Sequence, residues 1–407
     1  MKFKYHVLFL PKLVLYWFYL LTKFIPRQNN KWVFGSHFGF RDNSKFLLFD
    51  AKDNHPEIRP IWISHNKNEI TKIISWGVEC YHWLSPFGLY HCLTAKVYVC
   101  TQTTMDINTY TSGNAVYLNL NHGVGIKKCY WQRPEYMSKV YKIPVSKLNH
   151  SFIFKILGFR WYFRTPDICL VPSKTQAQMF FCPMFRIPMD KILYANFPRN
   201  ELLRWDEQKV KCLAQKYEPP HTIEFMDFMK RFNKVYIYMP TWRNDGSDFL
   251  SASGIDFKKL NESLKKNNDL FILKLHPLTR ISADASEGFS NIIQFPKDSD
   301  VYYVLSQTDC LITDYSSIYS DYVLMDKEII LFPFDMDRYL SKSTSLGEYD
   351  KYYIGRRVFD FNELINVIIN RDDCHLYRKD YDFLMNFYWS NIKIIKDIVE
   401  EVKSKYF

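Results

Sequence analysis

The sequence predicts an α/β protein made of two doubly wound domains that face a cleft. Three observations predict it. Short β-rich runs alternate with helix-length segments, the alternation comes in two series, and a polar stretch separates them. Strand–helix–strand alternation implies parallel βαβ units with right-handed crossovers. At 407 residues, 47% hydrophobic and 24% charged, the chain is long enough for two cores and too apolar for wholesale disorder. The composition likewise excludes a collagen-like repeat and a disulfide miniprotein.

Residues 1–30 read as a basic amphipathic segment. Lys2, Lys4, Lys12, Lys23, Arg27 and Lys31 stand with no acidic residue among them, so six units of the net +11 charge lie at this end. Between Val7 and Pro26 the chain is apolar, but Pro11 and Lys12 interrupt it. The clean run from Leu13 to Leu21 falls short of the ~18–20 residues that a spanning helix needs. No small-residue cleavage site follows, which argues against a removed signal peptide. An aromatic-rich helix flanked by lysines suits an anionic membrane surface, with its apolar face among acyl chains and its cations near headgroups. The plainer alternative is a helix that covers the core. Nucleic acid is not expected as a partner, because the basic excess is not interleaved along a groove. Nine scattered cysteines without a C-x-x-C pair read as reduced thiols of a cytosolic chain.

The first domain is expected over 31–205. Its strands are Lys31–Ser36, Arg59–Ser64, Val78–His82, Lys96–Thr101, Ala115–Asn121, Cys169–Pro172 and Lys191–Ala195, with crossover helices such as Ser44–Asn54 and Lys67–Ser75. The polar stretch 206–233, with Pro219–Pro220, reads as a linker. A second domain over 234–382 carries strands at Val235–Met239, Leu270–Leu275, Ile292–Phe295, Cys310–Thr313 and Ile329–Phe332. Apolar residues at 384, 388, 392, 395, 398, 399 and 402 have helical spacing, which predicts a terminal helix over 383–407.

Doubly wound sheets bind ligands beyond the C-terminal ends of their strands, so polar residues there are the candidates. Four clusters qualify. The first is His122-Gly123-Val124-Gly125-Ile126-Lys127-Lys128, which joins a titrating imidazole to flexible backbone and phosphate-seeking charge; a turn histidine is the alternative. The second is Thr241-Trp242-Arg243, a hydroxyl and a guanidinium fork suited to phosphate, or else an Arg–Asp pair. In the third, Leu275-His276-Pro277, the proline ends the strand and leaves His276 either facing the cleft or buried and hydrogen-bonded. The fourth, Thr313-Asp314-Tyr315-Ser316-Ser317, joins a strand to a helix and supplies hydroxyls and N–H groups for an anion, or a plain serine cap. The D-x-D at Asp335-Met336-Asp337 has no Glu or His ligand near it and reads as a chance match, and no metal is expected. No phosphate-binding G-x-x-x-x-G-K-[ST] loop occurs.

Taken in order, these clusters resemble the CDP-glycerol glycerophosphotransferases, the teichoic acid primases and polymerases. That family carries an H-G-T-P-x-K-like loop, then P-T-W-R, L-H-P and T-D-Y-S-S segments. The chain matches them with His122-Gly123 and Lys127, Pro240-Thr241-Trp242-Arg243, Leu275-His276-Pro277 and Thr313-Asp314-Tyr315-Ser316-Ser317. Trp32-Val33-Phe34-Gly35-Ser36, Asn43-Ser44-Lys45 and Pro198-Arg199-Asn200 are similar to further family segments, so the resemblance runs from about residue 30 to 340. It implies a GT-B fold of two Rossmann-like domains, with the acceptor on the N-terminal side and CDP-glycerol on the C-terminal side. It also implies transfer of glycerol phosphate, or a related polyol phosphate, to a hydroxyl with release of CMP. His122 and His276 would be the catalytic histidines. Arg243, Thr313, Ser316 and Ser317 would hold the donor phosphates, supported by Gly123, Lys127, Thr241 and Asp314. No cofactor beyond the CDP-glycerol donor is implied. The acceptor would be a lipid-linked or surface glycan at the cytoplasmic face of a bacterial membrane, in teichoic-acid or capsule synthesis.

The departures are Asn121 for a frequent Trp, Val124-Gly125 for Thr-Pro, and Leu346-Gly347-Glu348-Tyr349 where an Arg-Gly precedes Tyr. Two other classes are open at the level of sequence. One is a GT-B sugar transferase or nucleotide-sugar 2-epimerase using a UDP- or GDP-sugar. The other is a non-catalytic adaptor at the membrane surface.

Overall fold

The computed structural model describes residues 9–141, 164–243, 249–275, 288–342, 346–390 and 395–407. The chain divides into two compact units. The first takes in the chain as far as Val124, then Lys128–Glu201 and Trp389–Phe407; the second takes in Gly125–Lys127 and Leu202–Tyr388.

The first unit is built on seven parallel strands: β1 (Gln28–Phe34), β2 (Arg59–Ser64), β3 (Cys80–His82), β4 (Ala95–Cys100), β5 (Val116–Asn119), β6 (Ile168–Val171) and β7 (Ile192–Tyr194). Their order is β3-β2-β1-β4-β5-β6-β7. Central strands such as β4 and β6 are buried along nearly all their length, which is why they read as unbroken apolar runs instead of alternating ones. The second unit has β8 (Val235–Tyr238), β9 (Leu270–Leu273), β10 (Ile292–Gln294), β11 (Cys310–Thr313), β12 (Glu328–Leu331) and β13 (Arg356–Arg357). Here the order is β10-β9-β8-β11-β12-β13. In both sheets the winding reverses beside the first strand, between β1 and β4 and between β8 and β11. These are the switch points where doubly wound sheets take ligands.

Helix α1 (Phe9–Thr22) lies against the first unit. Tyr19 and Thr22 are its buried contacts, and the Thr22 hydroxyl accepts the Gly113 N–H at 3.2 Å. Just beyond it, Arg27 donates to the carbonyls of Cys92, Ala95 and Thr111. The opposite face of α1 shows Val14, Trp17, Phe18 and Leu21, with Phe24 following, all exposed. No described helix is long and apolar enough to cross a membrane.

Two boundaries differ from the sequence reading. The stretch 206–233 is not a linker: it folds as α2 (Glu207–Tyr217) and α3 (Pro220–Met229) and belongs to the second unit. Asp206 caps the first of these through the Lys209 N–H, and Pro220 opens the second. Its charges other than buried Glu218 lie on outer faces, while Val210, Ala214, Tyr217, Phe225, Met226 and Met229 are buried. The terminal segment is two helices, α4 (Arg378–Trp389) and α5 (Ile395–Tyr406), instead of one. The chain re-enters the first unit at Trp389, and α5 packs there on the helix Asp42–Asn54 through buried Ile398, Val399 and Val402.

Candidate active site

In the second unit, the second and fourth clusters meet at the β8/β11 switch point. Asp314, fully buried after β11, accepts from the Thr241 N–H at 2.8 Å and from the Arg243 Nη2 at 2.8 Å. Arg243 also sends Nε and Nη2 to the two oxygens of Asp335, each at 2.8 Å, and Nη1 to the Thr241 carbonyl. At least four of the guanidinium's five N–H groups are thus taken by the protein. Desolvation opposes the charge on Arg243, but Asp314 and Asp335 outweigh it and raise its pKa above the ordinary value. Thr313 is buried, with its hydroxyl donating to the Met239 carbonyl at 2.7 Å.

Aromatic side chains brace the loop from behind. The Tyr349 hydroxyl donates to the Asp314 carbonyl at 3.1 Å and the Tyr353 hydroxyl to the Ser316 carbonyl at 3.1 Å. Tyr315 stacks on Tyr339 with centroids 4.1 Å apart and donates to Asp335 at 3.1 Å. Ser316 and Ser317 stay half-buried ahead of the helix Ile318–Val323, whose first turn has no side-chain cap. Lys127, on the short segment grouped with this unit, bridges to Leu346 and places its ammonium 5.6 Å from the Tyr339 ring.

In the first unit, His122 follows β5, next to the β1/β4 switch point. It is exposed as a residue, with the Phe38 ring edge-on at 6.1 Å. Its pKa is lowered from 6.5: desolvation by the protein crowded around the ring is the largest cause, Asp42 pulls upward, and Arg199 and His37 push down. Gly123 adopts a positive φ of 156°, and the preceding Asn121 one of 56°. That turn is tied down by side chains. Asn121 Nδ2 donates to the Leu170 carbonyl at 2.8 Å, and its own N–H goes to Asn119 Oδ1 at 2.8 Å. Asn43 Nδ2 donates to the Asn121 carbonyl at 2.7 Å.

Residues 17–391 match the family described as CDP-Glycerol:Poly(glycerophosphate) glycerophosphotransferase. The chain belongs to that family. Among its relatives, the teichoic acid glycerol-phosphate transferase of Staphylococcus aureus (strain NCTC 8325 / PS 47) is 25% identical over 353 residues, 81% of each chain. The teichoic acid ribitol-phosphate polymerase TarL of the same strain is 26% identical over 199 residues, 47% of this chain and 34% of the polymerase, so this chain spans about a third of that relative's length. The wall teichoic acid polymerase TagF superposes with a TM-score of 0.69 at 20% identity, over 98% of this chain and 96% of the TagF chain, which shows the shared two-unit α/β, GT-B-like fold.

Of the site residues expected for a glycerophosphotransferase, Thr241, Arg243, Thr313, Asp314, Ser316, Ser317 and Lys127 come together in the second unit, and His122 and Gly123 stand in the first. His276 lies outside the described residues. Arg243 was expected to grip a phosphate; instead its fork is committed to two carboxylates, because it is buried with Asp314 and Asp335 beside it. In the sequence Asp335 reads as part of a chance D-x-D. Its position just past β12 is the same strand-end signal that marked the other clusters, and that signal points to it. Asn43 and Arg199 were legible only as family-like segments, with no role attached.

Proposed function

We propose that the chain transfers glycerol phosphate, or a related polyol phosphate, from CDP-glycerol to a hydroxyl of a lipid-linked or surface-glycan acceptor, releasing CMP, in teichoic-acid or capsule synthesis. One observation carries the reading: the Thr313–Ser317 loop stands at the β8/β11 switch point, latched to Thr241 and Arg243 through Asp314. With its carbonyls held by Tyr349 and Tyr353, and an uncapped helix turn following, the loop suits a diphosphate. Arg243 serves that loop by positioning it, and Ser316, Ser317 and Lys127 are left as the groups for the donor phosphates. Phosphoryl transfer needs in-line placement and charge neutralisation more than covalent help. His122 is the base that takes the proton of the attacking hydroxyl, worth ~10²–10⁴-fold. His276 is assigned to the donor phosphate or the leaving oxygen.

Membrane contact belongs to the same reading. The exposed face of α1, with Lys23 at its end, suits the interface of an anionic bilayer and would bring the first unit to a lipid-linked acceptor at the cytoplasmic face. The test is a donor screen with extracted lipid-linked acceptor: CDP-glycerol, CDP-ribitol, a UDP-sugar and a GDP-sugar, with free nucleotide and product mass recorded. CMP release with a product heavier by one or more polyol phosphates is expected. UDP or GDP release, with a CDP-polyol untouched, would instead assign the chain to sugar transfer or epimerisation.

A further inference from the structure

The opening turn of the helix Asp42–Asn54 is unusual for its burial. Asp42, Asn43, Ser44 and Lys45 are all polar, and all are at most 8% exposed. Asp42 also sits at φ 68°, in the left-handed region that a residue with a Cβ rarely adopts. Strained backbone and buried polar groups persist where the surroundings over-determine them, and such places cluster at functional sites. What surrounds this turn is the histidine loop. Asp42 Oδ1 is 2.5 Å from Arg199 Nη1, a pair with both side chains buried. Asn43 spans the two: its Oδ1 accepts the Arg199 N–H at 3.2 Å while its Nδ2 holds the Asn121 carbonyl, one residue before His122.

We propose that Asp42, Asn43 and Arg199 are positioning residues for His122: the buried ion pair sets the field at the imidazole, and Asn43 fixes the backbone that carries it. The proposal rests on the reading of His122 as the base. The charged and titratable groups that act most on the ring come from three segments: His37 after β1, Asp42 at the helix start and Arg199 after β7. Asp42 favours the protonated ring and Arg199 disfavours it, so the two act in opposite senses. A pair that merely held the helix in place would leave the titration of His122 unmoved when both charges are exchanged for neutral amides one at a time.

The experiment is an NMR titration of histidine-labelled protein, with His122 assigned through His122→Asn, alongside CMP release from CDP-glycerol. Asp42→Asn is expected to lower the His122 midpoint and Arg199→Gln to raise it, each by about half a pH unit or more. The double variant should return to within a few tenths, because removing both partners leaves no lone buried charge. Asn43→Ala should keep the midpoint and lower kcat at least tenfold with KM for CDP-glycerol within about threefold. Should a single-charge variant not fold, Asp42→Glu and Arg199→Lys replace it, with midpoints kept and kcat at least tenfold down. Static midpoints in folded D42N and R199Q, or full kcat in the Asn43 and charge-conserving variants, would overturn the proposal. The titration needs no substrate, so opposite shifts without turnover of any CDP-polyol would count against the assigned reaction and not against the positioning role.

Discussion

Arg243 stands at a point where stability and donor handling can be separated by experiment. A phosphate-gripping arginine, once truncated, raises KM and leaves the apo protein as stable as before. An arginine that holds one buried and one half-buried carboxylate does the reverse, because its loss strands Asp314 and Asp335 without that counter-charge. Breaking a buried pair from one side costs about 3–5 kcal/mol. Arg243→Ala is therefore expected to lower unfolding free energy by about that much in a denaturant melt, and Arg243→Lys, which keeps the charge but not the fork, to lose less. Wild-type stability in Arg243→Ala would return the guanidinium to the phosphate. His122 carries a second prediction. Its pKa lies below 6.5, so the unfolded chain binds the proton more readily than the folded one. The stability contribution is full above about pH 6.5 and is lost as pH falls through the folded value; the acid limb of kcat/KM, which reports the free enzyme, should lie below 6.5 for the same reason. Both residues were legible from their place at strand ends. The partners were not, since Asp335 stands 92 positions from Arg243 and nothing local announces the pair.

The legible parts among the elements are those with strong local periodicity. Residues 59–64 were read as β2 with the same bounds, and the other long strands lie within a few residues of expectation. β13, only Arg356–Arg357, has no apolar pattern to read and is placed by pairing with β12. Helices α2 and α3 were missed for the opposite reason: a solvated face and a Pro–Pro pair look like a linker until the buried face is seen. α1 was legible as an amphipathic segment, and the structure adds which side is spare. Trp17, Phe18 and Phe24 are 58%, 41% and 84% exposed, whereas Tyr19 and Thr22 hold the helix to the body. Replacing Trp17, Phe18 and Phe24 together with serine should leave the melting temperature within a few degrees, because those rings pack little against the core. Sedimentation with anionic vesicles should fall at least tenfold, since burying each ring at an interface is worth about 1.5–3 kcal/mol. Unchanged vesicle binding would assign α1 to covering the protein alone.

Across the whole chain, the two doubly wound sheets follow from alternation read along the sequence, while the long-range returns do not. A helix such as α5 has the same local pattern whichever unit it joins, so the spacing of its apolar residues predicts that it packs but not where. The structure returns it to the first unit, some 340 residues from its partners. Ile398, Val399 and Val402 are fully buried there, Lys403 donates to Glu57 at 2.6 Å, and Phe407 lies 6.4 Å from the Trp32 ring at the start of the chain's first sheet. Three such aliphatic side chains contribute about 1.5–3 kcal/mol each, against a typical domain stability of about 5–15 kcal/mol. The surface pair between Lys403 and Glu57 adds about 1 kcal/mol at most. Deleting residues 390–407 should therefore destabilise the first unit by several kcal/mol and leave the second, which ends at Tyr388, close to its original stability. Hydrogen exchange read peptide by peptide separates these outcomes: protection should fall across β1 and the helix Asp42–Asn54 and persist across β8 and β11. Equal loss in both sheets would mean that the two units share one cooperative transition, and the assignment of α5 to the first unit alone would fail.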